Sequence, residues 1–144
     1  MHITIACPFS FYFFGDIARP ALIGTTFLGN SRGVLNMTQT NSIVLRFREE
    51  EASDFEALFK AEVLPLWHKF KAQGKIIAAS LTPVQDGNQM KKGQRTYILH
   101  VEAPSMTEHS EFDSNPSFLK FLPKAQAMQP EEPKVWLGNT MFSV

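Results

Sequence analysis

The chain has 144 residues, 44% of them hydrophobic, and its 14 basic side chains balance 14 acidic ones. That length fits one domain with a filled core, and a formal net charge of zero gives no global pull toward nucleic acid or an anionic membrane. The single cysteine, Cys7, excludes an intrachain disulfide, and no Cys/His cluster has zinc spacing; the pattern suits a reducing cytoplasm and a protein without a metal ligand set.

The first forty residues differ from the rest. Asp16, Arg19 and Arg32 are their only charged side chains, although 19% of the whole chain is charged. A signal peptide needs a basic start and an unbroken apolar core, whereas here only His2 precedes a run that Pro8 interrupts. A membrane helix needs about 20 apolar residues, and Asp16 with Arg19 breaks that count. The expectation is an atypical extension over residues 1–40, with the domain at 41–144 and its natural start near Met37. A short hairpin packed on the domain is the other structural reading of the extension.

From residue 42 the pattern becomes regular. Ile43, Leu45 and Phe47 alternate with Val44, Arg46 and Arg48, which predicts a strand. Ser53 followed by Glu56 matches a capping box, and Phe55, Leu58, Phe59, Val63, Leu66 and Phe70 then recur at helical spacing. Pro65 should kink this helix and Gly74 should end it. A second strand is expected over 75–84 and a third over 95–103, joined by a polar loop with Gly87 and Gly93. Ser105 with Glu108 opens another helical segment, Asn115-Pro116 starts a further piece, and Pro123 predicts a kink or break in it. The last strand is expected from Lys134 to Val144.

The order is strand, helix, strand, strand, helix, strand. It predicts an α+β, ferredoxin-like domain: a four-stranded antiparallel sheet with two helices on one face. Ile43, Leu45, Phe47, Ile77, Leu81, Tyr97, Leu99 and Val101 should lie under the helices. Val44, Arg46, Arg48, Ile98, His100, Glu102 and Trp136 should lie on the other face.

This order, the kinked first helix and the segment HSEFDSNPSFLKFLPKAQ together resemble the dimeric α/β-barrel superfamily, which includes antibiotic biosynthesis monooxygenase-like and stress-responsive barrel proteins. His109, Phe112, Asp113, Pro116 and Phe118 carry the resemblance, over about 100 residues. It implies a homodimer with two sheets face to face and a small cavity. Members of this group include oxygenases needing no metal or flavin, lactone isomerases, haem-degrading enzymes and proteins of no known activity. The haem-degrading branch uses an Asn, a Trp and a His; the adjacent Trp67 and His68 fall on different helix faces and do not reproduce that set.

The residues that could carry chemistry follow from the face assignment. His100 and His68 are the candidate catalytic bases. Arg46, Glu102, Trp67, His109 and Trp136 are the candidate binding residues. In a dimer, Arg46, His100 and Glu102 could converge as cross-strand neighbours, with Glu102 fixing the histidine tautomer. In a monomer the same face would simply be wet. His109 is expected in the first turn of the second helix with a solvated role, or on a cavity rim. Asp113 is expected to serve as a cap and turn residue. Two functions remain open: a cofactor-independent oxygenase or isomerase of an aromatic or polyketide-like compound, and a non-catalytic ligand-binding or stress-associated homodimer. No phosphate loop, nucleophile elbow or basic-aromatic interleaving supports a nucleotide, hydrolase or nucleic-acid reading.

Overall fold

The computed structural model describes residues 37–144, so the expectations for residues 1–36 lie outside the described residues. Alternation makes the first strand, β1 (Gln39–Arg48), which begins two residues ahead of the expected domain start. A 3-10 turn at Glu49–Glu51 leads into α1 (Ala52–Glu62) and α2 (Leu64–Ala72). Next come β2 (Ala78–Pro83), β3 (Gln94–Ala103), α3 (Met106–Asp113), α4 (Pro116–Ala127) and β4 (Lys134–Asn139). The strands form one antiparallel sheet in the order β2-β3-β1-β4, which is the ferredoxin-like arrangement expected.

Local chemistry explains the boundaries. The helix begins at Ala52, so Ser53 already lies inside it and caps nothing; Glu56, its expected capping-box partner, instead accepts a hydrogen bond from the Tyr97 hydroxyl at 2.6 Å. Pro65 falls in the first turn of α2, where a missing N–H costs little. The chain therefore bends at Val63 and keeps its helical bonds, Val63 N to Phe59 O and Trp67 N to Val63 O, both at 2.9 Å. Gly74 ends α2 with φ of 72°, a left-handed value that side chains with a Cβ resist. Ser105 does cap α3, accepting from Thr107 N at 3.1 Å, and Asn115 caps α4, accepting from Ser117 N at 3.0 Å. Pro123 does not break α4. The carbonyl it leaves without its usual partner belongs to Leu119, on the exposed side where water can serve it.

The core lies between the sheet and the helices. Phe47 of β1 stacks on Phe55 of α1 at 3.7 Å between ring centroids, and Tyr97 of β3 meets both rings edge-on. Phe59 continues the cluster to Trp67 and Phe121. Each such ring contributes about 1.5–3 kcal/mol by burial, with edge and stacking contacts adding to that. One expected core residue is misplaced: Ile77 is exposed and Ile76 is buried in its stead. β2 begins only at Ala78, so the alternation read back from that strand does not apply to residue 77.

Candidate functional site

The face of the sheet away from the helices carries Thr40, Ser42, Val44 and Arg46 from β1, and Thr96, Ile98, His100 and Glu102 from β3. The register pairs Ser42 with His100, Thr40 with Glu102 and Arg46 with Thr96. On the other side of β1, Ser42 pairs with Trp136. Ser42 thus sits between a histidine and a tryptophan in one row across three strands.

This row opens into a concavity of about 500 Å³ lined by Ser42, His100, Glu102, Trp136, Thr140 and Phe142, among others. Ser42 Oγ lies 3.1 Å from His100 Nδ1, which leaves Nε2 as the ring nitrogen available to a ligand. Glu102 accepts hydrogen bonds from Thr38 Oγ1 and, at 3.4 Å, from Thr140 Oγ1. Because Thr140 spends its proton on Glu102, Thr40 Oγ1 donates to Thr140 Oγ1, 2.7 Å away. Two hydroxyls therefore hold the carboxylate at one wall, and a third backs Thr140. Trp136, 56% exposed, offers an aromatic surface at the other.

His100, Glu102 and Trp136 are brought together as the alternation implied. The expected triad with Arg46 is not formed. Cross-strand pairing places Ser42, not Arg46, beside His100. Arg46 lies four residues further along β1, roughly 13 Å at about 3.3 Å per strand residue. Its guanidinium turns to Gln89 O at 3.4 Å and Glu131 at 3.7 Å. Nor does Glu102 orient the histidine: its bonds go to threonines, and Ser42 takes that position.

The remaining candidates lie elsewhere. His68 is exposed on α2, and Trp67 is buried in the helix layer edge-on to Phe59 at 5.0 Å. Neither lines the concavity. His109 is buried, at 6% exposure, which overturns its expected solvated role. It sits on the helix side of the sheet, since Asn41 and Ser42 are consecutive on β1 and point to opposite faces. Its Nδ1 is 2.5 Å from Gln39 Oε1, and its Nε2 is 3.2 Å from Asn41 Nδ2 and 3.3 Å from Asp113 Oδ2. Asp113 serves this histidine, while the capping duty falls to Asn115. Among the described residues no group of three or more His, Cys, Asp or Glu side chains is arranged to hold a metal ion.

Sequence reasoning missed the hydroxyl wall of Thr38, Thr40, Ser42 and Thr140, and the buried pair Gln39 and Asn41. A signal for the pair was present: the alternation Ile43, Leu45, Phe47 runs back to 41 and 39 on the covered face.

No family model matches the chain, and no curated protein matches its sequence. Solved structures do share its fold. A protein provisionally named an antibiotic biosynthesis monooxygenase from Caulobacter crescentus CB15 superposes with a TM-score of 0.58 at 17% identity, over 74% of this chain and 92% of that one. A second provisionally named antibiotic biosynthesis monooxygenase, from Nitrosomonas europaea, gives 0.60 at 6% identity over 74% and 92%. A dimeric ferredoxin-like protein from an uncultured marine organism gives 0.60 at 15% identity over 75% and 91%. The chain is an α+β protein with the ferredoxin-like fold of these monooxygenase-like proteins.

Proposed function

We propose that this protein is a homodimeric, cytoplasmic binder of a small apolar or aromatic molecule, and that it acts on that molecule as a cofactor-independent oxygenase or isomerase. One observation carries the reading: His100, Glu102 and Trp136 share a single concavity on the sheet face that the helices leave uncovered. Val44, Ile98 and Trp136 make that face partly apolar, and Ile98 and Trp136 are exposed, as suits a surface that a second copy covers. The fold shared with a dimeric ferredoxin-like protein supports the assembly, and the fold shared with proteins named as monooxygenases supports the oxygenase reading. No described helix is long and apolar enough to cross a membrane.

In this reading Trp136 stacks on the ligand and His100 Nε2 takes a proton from an acidic ring position, with Nδ1 held by Ser42. The resulting electron-rich anion can be reprotonated elsewhere, which is an isomerisation. It can also react with O2 so that a ring CH2 becomes C=O and the second oxygen leaves as water, the substrate supplying all four electrons. Apposed sheets would exclude water from that chemistry.

His100→Ala tests the reading. Oxygen uptake and product formation with a panel of anthrones and hydroxynaphthalenes should fall at least a hundredfold, as loss of a general base does. Stability should change by about 1 kcal/mol. A large stability loss with unchanged ligand binding would make His100 an interface residue of a non-catalytic dimer. A monomer mass by light scattering at micromolar concentration would remove the dimeric reading.

A further inference from the structure

At the far end of the same sheet face lies a buried guanidinium that the protein satisfies only in part. Arg46 is only 4% exposed, yet its five N–H donors make one long hydrogen bond, Nη2 to Gln89 O at 3.4 Å. Its Nε is buried without any hydrogen-bond partner. Among the described residues, the one carboxylate within ion-pair distance is Glu131, at 3.7 Å, and Lys91 holds both its oxygens at 2.9 Å. Opposite Arg46 on β3, Thr96 is 5% exposed and its hydroxyl is likewise buried and unpartnered.

The surroundings define what is missing. Arg46 and Lys91 pair with Glu131, Lys134 is close enough to act on it electrostatically, and counting exposed Glu132 beside it still leaves an excess of positive charge. A buried guanidinium with idle donors is costly, and it is best relieved by an oxyanion that takes two parallel N–H bonds. Val44 and Ile98 flank it on the same face, so the group attached to that oxyanion meets apolar surface.

We propose that Arg46 and Thr96 form a carboxylate-binding subsite for a small organic acid with an apolar body. Arg46 Nε and the Thr96 hydroxyl are closed to solvent, so the carboxylate binds by displacing the Gln89 carbonyl from Arg46 Nη2; it then accepts from both groups, and the body lies over Ile98 toward the row of Ser42, His100 and Trp136. An acid about 13 Å long would reach both ends, given the four-residue offset along β1. The carboxylate subsite stands on Arg46 and Thr96; only the joint occupancy rests on the function proposed above.

The test is ligand titration of the full-length protein by NMR and calorimetry, using benzoate, phenylacetate and 2-naphthoate with their neutral amides, and inorganic phosphate as a separate arm. The expected result is saturable binding of the acids, at least tenfold tighter than the amides, with shifts at Arg46 and Thr96. Arg46→Gln should lower acid affinity at least tenfold and equalise acid and amide. Should Arg46→Gln fail to fold, Arg46→Lys and Thr96→Val carry the test: each should weaken the acids severalfold and leave the amides unchanged. Phosphate binding as tightly as the acids and lost with Arg46 would overturn the carboxylate assignment. So would equal affinity for acids and amides, no binding of any acid at 10 mM, or a change in dimer mass alone. His100→Ala separates the two readings, since it should leave benzoate affinity unchanged while removing turnover.

Discussion

Arg46 and Phe47 are neighbours on β1, both are buried, and they are buried in different ways. Phe47 is enclosed by Phe55 and Tyr97, so its burial is apolar contact on every side. Arg46 is enclosed with donors idle and its nearest carboxylate engaged elsewhere. The two faces of one sheet follow the same division. The helix face is filled mostly by rings, with a buried polar patch of Gln39, Asn41 and His109 at one end. The open face keeps polar groups, an exposed tryptophan and an unsettled charge, so its stability depends on what lies against it.

The largest expected effect tests the helix face. Phe55→Ala removes a ring that touches Phe47, Phe59 and Tyr97, and urea unfolding should show a loss of about 3–5 kcal/mol. A loss below about 1 kcal/mol would mean that this core is not the seat of stability.

Tyr97→Phe sharpens the comparison, because Tyr97 carries the polar group of the aromatic cluster on the helix face. Burial, and next the Glu56 carboxylate accepting its proton, push its pKa well above the ordinary 10.0. The raised folded-state value means that its stabilising contribution is complete below pH 10 and declines as the pH rises above it, since only the unfolded chain gives up the proton there. Removing the hydroxyl should cost about 1 kcal/mol at neutral pH. It should also flatten the alkaline loss of stability measured by thermal midpoint between pH 9 and 11. An unchanged alkaline slope in Tyr97→Phe would assign that loss to other groups.

The smallest effect belongs to the open face. Thr82 on β2 is exposed, and Thr82→Ala should change stability, measured by thermal unfolding, by no more than about 0.5 kcal/mol, the usual range for surface sites. A drop as large as that of Tyr97→Phe would show that the open face is covered and stabilised over its whole width.

The strand order was legible because alternation and helical spacing are local signals that the core enforces. Placement of His100, Glu102 and Trp136 on one face was legible for the same reason. The supposed contact between Arg46 and His100 was not, because alternation fixes a face and leaves open the offset between strands. That offset depends on the 85–94 loop and on which residues of β1 and β3 meet. His109 was misjudged since a helix's first turn is usually wet, whereas here it covers Asn41 and Gln39 at the end of β1. Ser53 and Glu56 fit a capping pattern that the preceding 3-10 turn made redundant.

The order of the strands also sets a timetable. β1 is made early, but its partners come late: Gln39 pairs with Ala103 and with Asn139, the second a hundred residues downstream. At about 5–20 residues per second of synthesis, β1 waits for its last neighbour for roughly 5–20 s. During that wait the α1–α2 pair can form locally and, once Ala103 is made, β3 can close on β1 at the middle of the sheet, while the other edge of β1 stays open until β4. Long-range pairing of this kind makes for slow folding. Until β3 is made the nascent chain therefore carries an unpaired, apolar first strand, and a chaperone would meet it at Ile43, Leu45 and Phe47.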